Sequence, residues 1–211
     1  MRYLEFKDKV RGFPIISSTH LFNLTRKPQT LKAQLTKWQK KGLIVKLKRG
    51  LYILNESDRK IEPSRIFLAN ALYSPSYVST IYALGYYDLI PEKVVDVTSV
   101  TTKKTAKFTN PFGTFVYQHL KTILFFGFKE IEDENGLPVL IAEPEKAVLD
   151  FIYLNLQDFK NKDEDVFGLS CRFQNLDMLK KRKLINFAKK YENEEMLDVV
   201  ENLLSFIKRE R

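Results

Sequence analysis

The apolar positions of the first 55 residues follow helical spacing and then strand spacing. A helix is predicted from Tyr3 to Val10, a short charged stretch with apolar residues at Leu4, Phe6 and Val10 that stops near Gly12 and Pro14. Ser17 or Ser18 can cap a brief second helix, and residues 25–27 are expected to form the turn that follows it. The chain therefore opens with two short helices.

A third helix and a hairpin complete this segment. Pro28 suits the first turn of a helix, and Gly42 suits the left-handed position after its end. Between them, three apolar residues share one helical face: Leu31, Leu35 and Trp38. Two β-rich runs, at 43–48 and 51–54, flank Arg49-Gly50 and predict a hairpin. Helix, turn, helix and hairpin is the order of a winged helix-turn-helix, whose second motif helix enters the major groove of DNA.

Beyond a polar linker at residues 56–64, predicted helices and strands are mixed along the chain. Helical spacing predicts helices at 63–72, 79–87, 143–155, 176–191 and from 196 onward. Strands are predicted at 94–100, 114–119, 125–131 and 137–142. We therefore expect an α+β protein: an N-terminal winged helix-turn-helix at 1–55, followed at 65–211 by a mixed α+β C-terminal domain with a helical tail.

The positive charge of the chain is concentrated in its first segment. The protein has a formal net charge of +9, yet residues 1–60 hold 15 Lys and Arg against 4 Asp and Glu, which leaves residues 61–211 at −2. Between residues 11 and 55 there are ten basic side chains and no acidic one. Because regularly spaced apolar residues lie between the lysines, this segment should fold rather than form a solubilising tail. Duplex DNA is the expected partner.

The predicted third helix and the hairpin divide the candidate DNA contacts into two groups. Near the start of the helix, four residues outside the apolar stripe are suited to base edges: Gln29, Thr30, Lys32 and Ala33. Six basic residues farther along are suited to phosphates: Lys37, Lys40, Lys41, Lys46, Lys48 and Arg49. Trp38 is assigned to the core, because it lies in line with Leu31 and Leu35.

Two stretches of the sequence carry a resemblance to a known family. The first contains Lys41-Gly42-Leu43-Ile44 and Lys48-Arg49-Gly50-Leu51-Tyr52, and Tyr77-Val78-Ser79 follows it. The second is Ile141-Ala142-Glu143-Pro144-Glu145-Lys146-Ala147-Val148-Leu149-Asp150. Together they resemble the AbiE-type (AbiEi) antitoxins of type IV toxin-antitoxin and abortive-infection systems, over residues 17–155.

The resemblance implies a two-part regulator. In that family the winged helix binds inverted repeats in its own promoter and so represses its operon. The C-terminal domain counteracts a nucleotidyltransferase-like toxin encoded beside it, without forming a stable complex. The expected partners are therefore double-stranded DNA and, functionally, such a toxin.

Catalytic and metal-binding motifs are not evident in the sequence. With one Cys and two His, no zinc-ligand spacing occurs, and we expect neither a metal nor a cofactor. Acidic residues stand where turns and helix starts favour them: Glu132, Asp133, Glu134, Glu143, Glu145 and Asp150. We expect no enzymatic activity; the alternative is a nuclease-like, nucleic-acid-processing enzyme that docks through the winged helix.

Hydropathy and the N-terminus bear on where the protein is found. No apolar run approaches the roughly 18 residues of a membrane helix, and the first residues do not have the order of a signal peptide. We expect a cytoplasmic protein without a membrane partner.

Overall fold

The computed structural model describes residues 2–23, 28–160 and 164–209 and shows a mixed α+β fold. The turn predicted at 25–27 lies outside the described residues. The helices are α1 (Tyr3–Val10), α2 (Ser18–Asn23), α3 (Pro28–Lys40), α4 (Arg65–Leu72), α5 (Thr80–Tyr86), α6 (Pro144–Leu154), α7 (Leu156–Phe159), α8 (Lys181–Lys189) and α9 (Glu194–Arg209). The strands are β1 (Ile16–Ser17), β2 (Ile44–Lys48), β3 (Leu51–Leu54), β4 (Ser76–Val78), β5 (Val97–Thr101), β6 (Ala106–Asn110), β7 (Gly113–His119), β8 (Phe128–Glu132) and β9 (Pro138–Ala142). Shorter 3₁₀ or π turns lie at Thr122–Leu124, Val166–Ser170 and Leu176–Met178.

The N-terminal module consists of α1 to α3 and β1 to β3. Its strands form an antiparallel sheet in the order β1-β3-β2. Each helix contributes apolar side chains to one small core, which includes Phe6 of α1, Leu21 of α2 and Leu31 of α3. The apolar stripe predicted for the third helix is buried in this core, and Trp38 is buried with it.

The C-terminal body, from α4 onward, is built on a six-stranded mixed sheet in the order β6-β7-β5-β4-β9-β8. Helix α4 covers one face, where the hydroxyl of Tyr117 in β7 donates to the carbonyl of Ala69 at 2.6 Å. Helix α6 covers the other face, where the hydroxyl of Tyr77 in β4 donates to Asp150 at 2.9 Å. Helices α8 and α9 pack outside α6 and close the core.

The β2–β3 hairpin is buried on both of its faces. Ile44 and Leu54, which are paired across the hairpin, point into the core of the N-terminal module. Leu47 and Ile53 point the other way and join the core of the C-terminal body. Since successive side chains of a strand point to opposite faces, these two short strands serve two cores at once.

The polar segment predicted as a linker is packed against both parts of the molecule. Asp58 accepts hydrogen bonds from the Tyr3 hydroxyl at 2.7 Å and from the Lys7 ammonium at 2.9 Å, both on α1. At the other end, the backbone N–H of Ser64 donates to Asp133 in the β8–β9 turn at 3.3 Å. Residues 56–64 thus tie α1 to the sheet of the body.

The helices and strands largely follow the sequence pattern, but three strands and the four-residue helix α7 were missed and one predicted helix is divided. Two of the missed strands, β1 and β4, have only two and three residues, too few to show an alternation of apolar and polar residues. The third, β6, reads Ala-Lys-Phe-Thr-Asn and lies at the edge of the sheet, where a polar composition is tolerated. The helix predicted at 176–191 is a 3₁₀ turn at Leu176–Met178 followed by α8.

Among the residues that the structure describes, no helix is both long enough and apolar enough to cross a bilayer.

The attachment of Asp58 to α1 should appear in the pH dependence of stability. Hydrogen bonds from Tyr3 and Lys7 hold the pKa of Asp58 below its ordinary value. Its stabilising contribution is therefore complete above about pH 4 and is lost as the pH falls through the depressed pKa. We expect Asp58→Asn to lower the free energy of urea unfolding at pH 7, with the difference from wild type shrinking below pH 4.

The matched control is Asp8→Asn on the same helix. Its carboxylate is mostly exposed and stands 3.7 Å from Arg11, so the change should have little effect at either pH. Equal effects of the two substitutions across the pH range would contradict the assigned role of Asp58.

Candidate nucleic-acid interface

Helix α3 exposes one continuous polar face. Its side chains at 31, 35 and 38 are buried, and the residues predicted to read bases are all exposed: Gln29, Thr30, Lys32 and Ala33. Lys37 and Lys40 extend the exposed face toward the end of the helix, and Lys41 follows it, also exposed. Seven of the ten predicted contacts therefore lie together on α3 and the residue after it.

Aromatic packing on the opposite side fixes the orientation of α3. The indole ring of Trp38 has its centroid 4.6 Å from that of Phe6 and 5.5 Å from that of Tyr3, both on α1. Gly42, with a φ of +69°, then lets the chain turn into β2. The backbone N–H of Leu43 donates to the Trp38 carbonyl at 3.0 Å and completes the end of the helix. The polar face of α3 is thus held outward by a rigid contact with α1.

A β-bulge divides the three basic residues of the hairpin. Lys46 is paired with Tyr52 and lies on the hairpin face that carries the helices. The pairing shifts between Lys46 and Lys48, and a bulge of this kind redirects the side chains that follow it. Lys46 and Arg49 are exposed, whereas Lys48 turns toward the body and is half-buried.

The ammonium group of Lys48 is already engaged within the protein. It donates to the carbonyl of Leu72 at the end of α4 and lies 5.6 Å from the centre of the Phe108 ring. Burial, and then the nearby charge of Lys103, lower the pKa of Lys48. The prediction that Lys48 contacts phosphates alongside Lys46 and Arg49 stays a prediction, and in this structure the ammonium is directed into the contact between hairpin and body.

The hairpin tip is attached to the start of α2. The backbone N–H of Ser18 donates to the Gly50 carbonyl at 2.8 Å. Gly50 has a φ of +80°, and a Cβ at this position would come within 2.9 Å of the Ser18 hydroxyl oxygen. Both the conformation and the close approach require glycine here. Arg49 is consequently presented from a defined position.

Asp133, one of the acidic residues considered for catalysis, occupies a structural position. Asp133 accepts backbone N–H groups from Asn135 at 2.9 Å and Leu137 at 2.8 Å, besides the one from Ser64. Partial burial would raise the pKa of Asp133, but these hydrogen bonds outweigh it and hold that pKa below the ordinary value. Asp133 thus organises the turn predicted from Asn135-Gly136.

A second acidic group is completely enclosed in the core. The side chains of Lys146 and Asp150 are both 0% exposed, and the Lys146 ammonium lies 2.5 Å from Asp150 Oδ1. Tyr77 and Ser79 donate to Asp150 Oδ2 at 2.9 and 2.8 Å, and Tyr191 donates to Oδ1 at 2.9 Å. All of these polar groups are satisfied within the protein, so they build the core rather than a solvent-accessible site.

Lys146 is further surrounded by aromatic rings and apolar atoms. Its ammonium lies 4.5 Å from the centre of the Phe126 ring and 4.8 Å from that of Tyr191. Burial lowers the pKa of Lys146, although the charge of Asp150 opposes this effect. The sequence places Asp150 among the acids near a helix start, and its four-residue spacing from Lys146 is the one signal of this pairing.

The described residues contain no candidate metal site. Across 2–23, 28–160 and 164–209, no group of three or more His, Cys, Asp or Glu residues is arranged to hold an ion. Glu145, near Asp150 on α6, accepts instead from the backbone N–H of Lys180 at 2.9 Å.

No protein-family model and no curated protein sequence matches this chain.

The buried Lys146–Asp150 pair leads to a prediction that also tests catalysis. Asp150→Ala would leave the ammonium of Lys146 and three hydroxyl groups without their acceptor. Removing one partner of a buried pair typically costs about 3–5 kcal/mol of the free energy of unfolding, because the other charge is left unpaired in the core. Replacing both partners still leaves the three hydroxyl groups without their acceptor, but it also removes the unpaired ammonium. We therefore expect Lys146→Met/Asp150→Leu to be more stable in urea than Asp150→Ala.

The same variants should be assayed for metal-dependent cleavage of DNA and RNA. An Asp150→Ala variant that keeps wild-type stability but loses a nuclease activity of the wild-type protein would contradict the structural assignment and favour the enzymatic alternative.

Proposed function

We propose that the N-terminal module is a winged helix-turn-helix that binds duplex DNA, and that the protein is a non-catalytic transcriptional repressor with an antitoxin role. The observation that carries the DNA-binding part is the outward face of α3. This face carries the exposed side chains proposed to read bases and, beside them, exposed lysines. It belongs to residues 11–55, which include no acidic residue.

The arrangement of the module supports this proposal. Along the chain the elements come in the order α1, β1, α2, α3, β2 and β3, so that α2, α3 and the β2–β3 hairpin follow one another as expected of a winged helix-turn-helix. In our proposal α3 enters the major groove, where Gln29 can pair with adenine and Lys32 can donate to guanine. Ala33 and Thr30 would meet neighbouring base edges or the thymine methyl group.

Phosphate contacts in the proposal come from the end of α3 and from the hairpin, which acts as the wing. Lys37, Lys40 and Lys41 continue the exposed face of α3, and Lys46 lies on the hairpin face that carries the helices. Arg49 extends from the tip. Such contacts set the position of a protein on DNA and release counterions, so binding should weaken steeply as salt is added.

The antitoxin role rests on the resemblance to the AbiEi family. We propose that the protein binds inverted repeats in its own promoter and that its C-terminal body counteracts a nucleotidyltransferase-like toxin without a stable complex. The stretch from Glu143 to Asp150, which contributes strongly to the resemblance, lies largely in the core around Lys146 and Asp150. Its residues would thus maintain the body, and surface residues elsewhere would act on the toxin.

Separate substitutions should distinguish base reading from phosphate binding. In duplexes selected from a random pool, Gln29→Ala and Lys32→Ala should each reduce the preference for the selected site, by about 1–3 kcal/mol per lost base contact. Lys46→Ala/Arg49→Ala should instead weaken binding to all duplexes and reduce the slope of log affinity against log salt by about 0.9 per phosphate contact.

Lys181→Ala on α8 is the matched control, because this lysine is equally exposed but belongs to the body. It should leave affinity, sequence preference and salt slope unchanged. If the wild-type protein does not bind duplex DNA at low salt, or if the α3 variants behave as Lys181→Ala does, the proposed DNA binding is wrong.

Repression and toxin neutralisation should be separable in cells. With a nucleotidyltransferase encoded beside this gene expressed from an independent promoter, the wild-type protein should restore growth and repress a reporter carrying its own promoter. Gln29→Ala/Lys32→Ala should relieve repression yet still restore growth. Failure of the wild-type protein to restore growth would contradict the antitoxin role and leave the DNA-binding proposal standing.

A further inference from the structure

The near-neutral charge of the C-terminal body conceals a second stretch without acidic residues. From Val97 to Lys129 there are five lysines and no Asp or Glu. The stretch covers β5, β6 and β7, the half of the sheet that ends in the edge strand β6. Strand β6 also contacts β2 of the hairpin, so this basic region adjoins the proposed DNA-binding module.

An open groove of about 690 Å³ lies in this region, where β5 leads into β6 and β7 ends. Its walls combine basic, hydroxyl and aromatic side chains: Tyr73, Thr102, Lys103, Lys104, Thr105 and His119. The loop between β5 and β6, which forms one wall of the groove, is fixed by a hydrogen bond from the Tyr73 hydroxyl to the Lys104 carbonyl at 3.1 Å. His119 Nδ1 lies 2.9 Å from the Lys103 carbonyl oxygen.

A row of alternating lysines and aromatic rings connects this groove to the hairpin. Lys48 of the hairpin lies over the Phe108 ring, whose centroid is 5.6 Å from that of Tyr73. Lys103 lies over Tyr73, 5.4 Å from its centre. The two ammonium groups donate to carbonyls at the end of α4, that of Leu72 for Lys48 and that of Ser74 for Lys103. A row of cationic and aromatic side chains therefore runs from the hairpin to the groove.

The charges in this row are close enough to affect one another. The positive charge of Lys103 contributes to the lowered pKa of Lys48. Lys104, next along the loop, is exposed. Like charges held near each other repel, and a polyanion laid across them would relieve that repulsion.

We propose that this groove is a second phosphate-binding surface, which holds the backbone of the same DNA duplex that α3 reads. The inference rests on the proposed function and extends its footprint from the hairpin onto the C-terminal body. The openness of the groove suits an extended backbone rather than an enclosed small molecule. Lys104 contacts phosphate directly, while Lys103 adds charge from a fixed position.

Lys107, three residues after Lys104 and within β6, provides a matched control. It pairs with Val116, whereas its neighbour Phe108 pairs with Phe115, on the sheet face that also carries Tyr117 and α4. By strand alternation, Lys107 points to the opposite face from the row formed by Phe108 and Tyr73. It is exposed as Lys104 is, but it does not line the groove.

The experiment compares two mixed-sequence duplexes that share the same central sequence, one of about 12 base pairs and one of about 30 base pairs. The shorter duplex is little longer than the helical turn that a single reading helix covers. Affinity of the full-length protein is measured over a range of salt concentrations. For the longer duplex, we expect the salt slope to fall by about 0.9 for Lys104→Ala and by up to twice that for Lys103→Ala/Lys104→Ala. On the shorter duplex both variants should match wild type, and Lys107→Ala should match it on both.

The outcomes separate this inference from the proposed function. If Lys37→Ala/Lys40→Ala weakens binding to both duplexes while the Lys104 variants behave as Lys107→Ala does, the extended footprint is wrong and the reading helix stands. Equal loss on both duplexes for Lys104→Ala would also overturn the extended footprint, because the groove would then contact the central turn. If Lys37→Ala/Lys40→Ala has no effect on either duplex, the proposed function itself fails. Thermal unfolding of each variant confirms that these exposed substitutions leave the fold intact.

Discussion

The structure depends on the β2–β3 hairpin, whose two strands have five and four residues and carry buried apolar side chains on both faces. Ile44 and Leu54 complete the core beneath the three N-terminal helices, while Leu47 and Ile53 are buried in the core of the body. Neither core is closed without this shared sheet. The interface between the two parts is therefore continuous apolar packing, supported by the hydrogen bonds of Asp58 and Asp133 at the polar segment.

Shared packing has an electrostatic consequence. Because the hairpin is fixed to the body, its basic residues cannot all face the same way, and the bulge after Lys46 sends Lys48 toward α4. The charge of Lys48 is thereby added to that of Lys103 on the body. A surface that would be limited to one small module in a freely linked protein becomes a row that crosses both parts, and our second proposal follows from that continuity.

The Lys146–Asp150 pair shows how a stretch rich in charge can be structural. Four of the ten residues from Ile141 to Asp150 carry ionisable side chains, a density that would ordinarily indicate a surface or a catalytic site. Here Asp150 receives hydrogen bonds from β4 and from Tyr191 after α8, so it joins the central strand to two layers of helices. Such a network favours one arrangement of those layers, because any other would leave a buried charge unpaired.

The sequence by itself determined the α+β class, the helices with clear apolar periodicity, the hairpin around Gly50 and the charge asymmetry between the two halves. These properties follow from local spacing and composition, which is why the exposed face of α3, from Gln29 to Lys40, could be assigned before the structure was known. Only the tertiary structure decided the central position of β4, the burial of Asp150 and the two directions of Lys46 and Lys48. Each of these depends on partners distant in the chain: Ser76–Val78 is too short to show a period, yet it is paired on both sides. The environment of a lysine or a carboxylate is set by what packs against it, and a one-dimensional pattern does not contain that information.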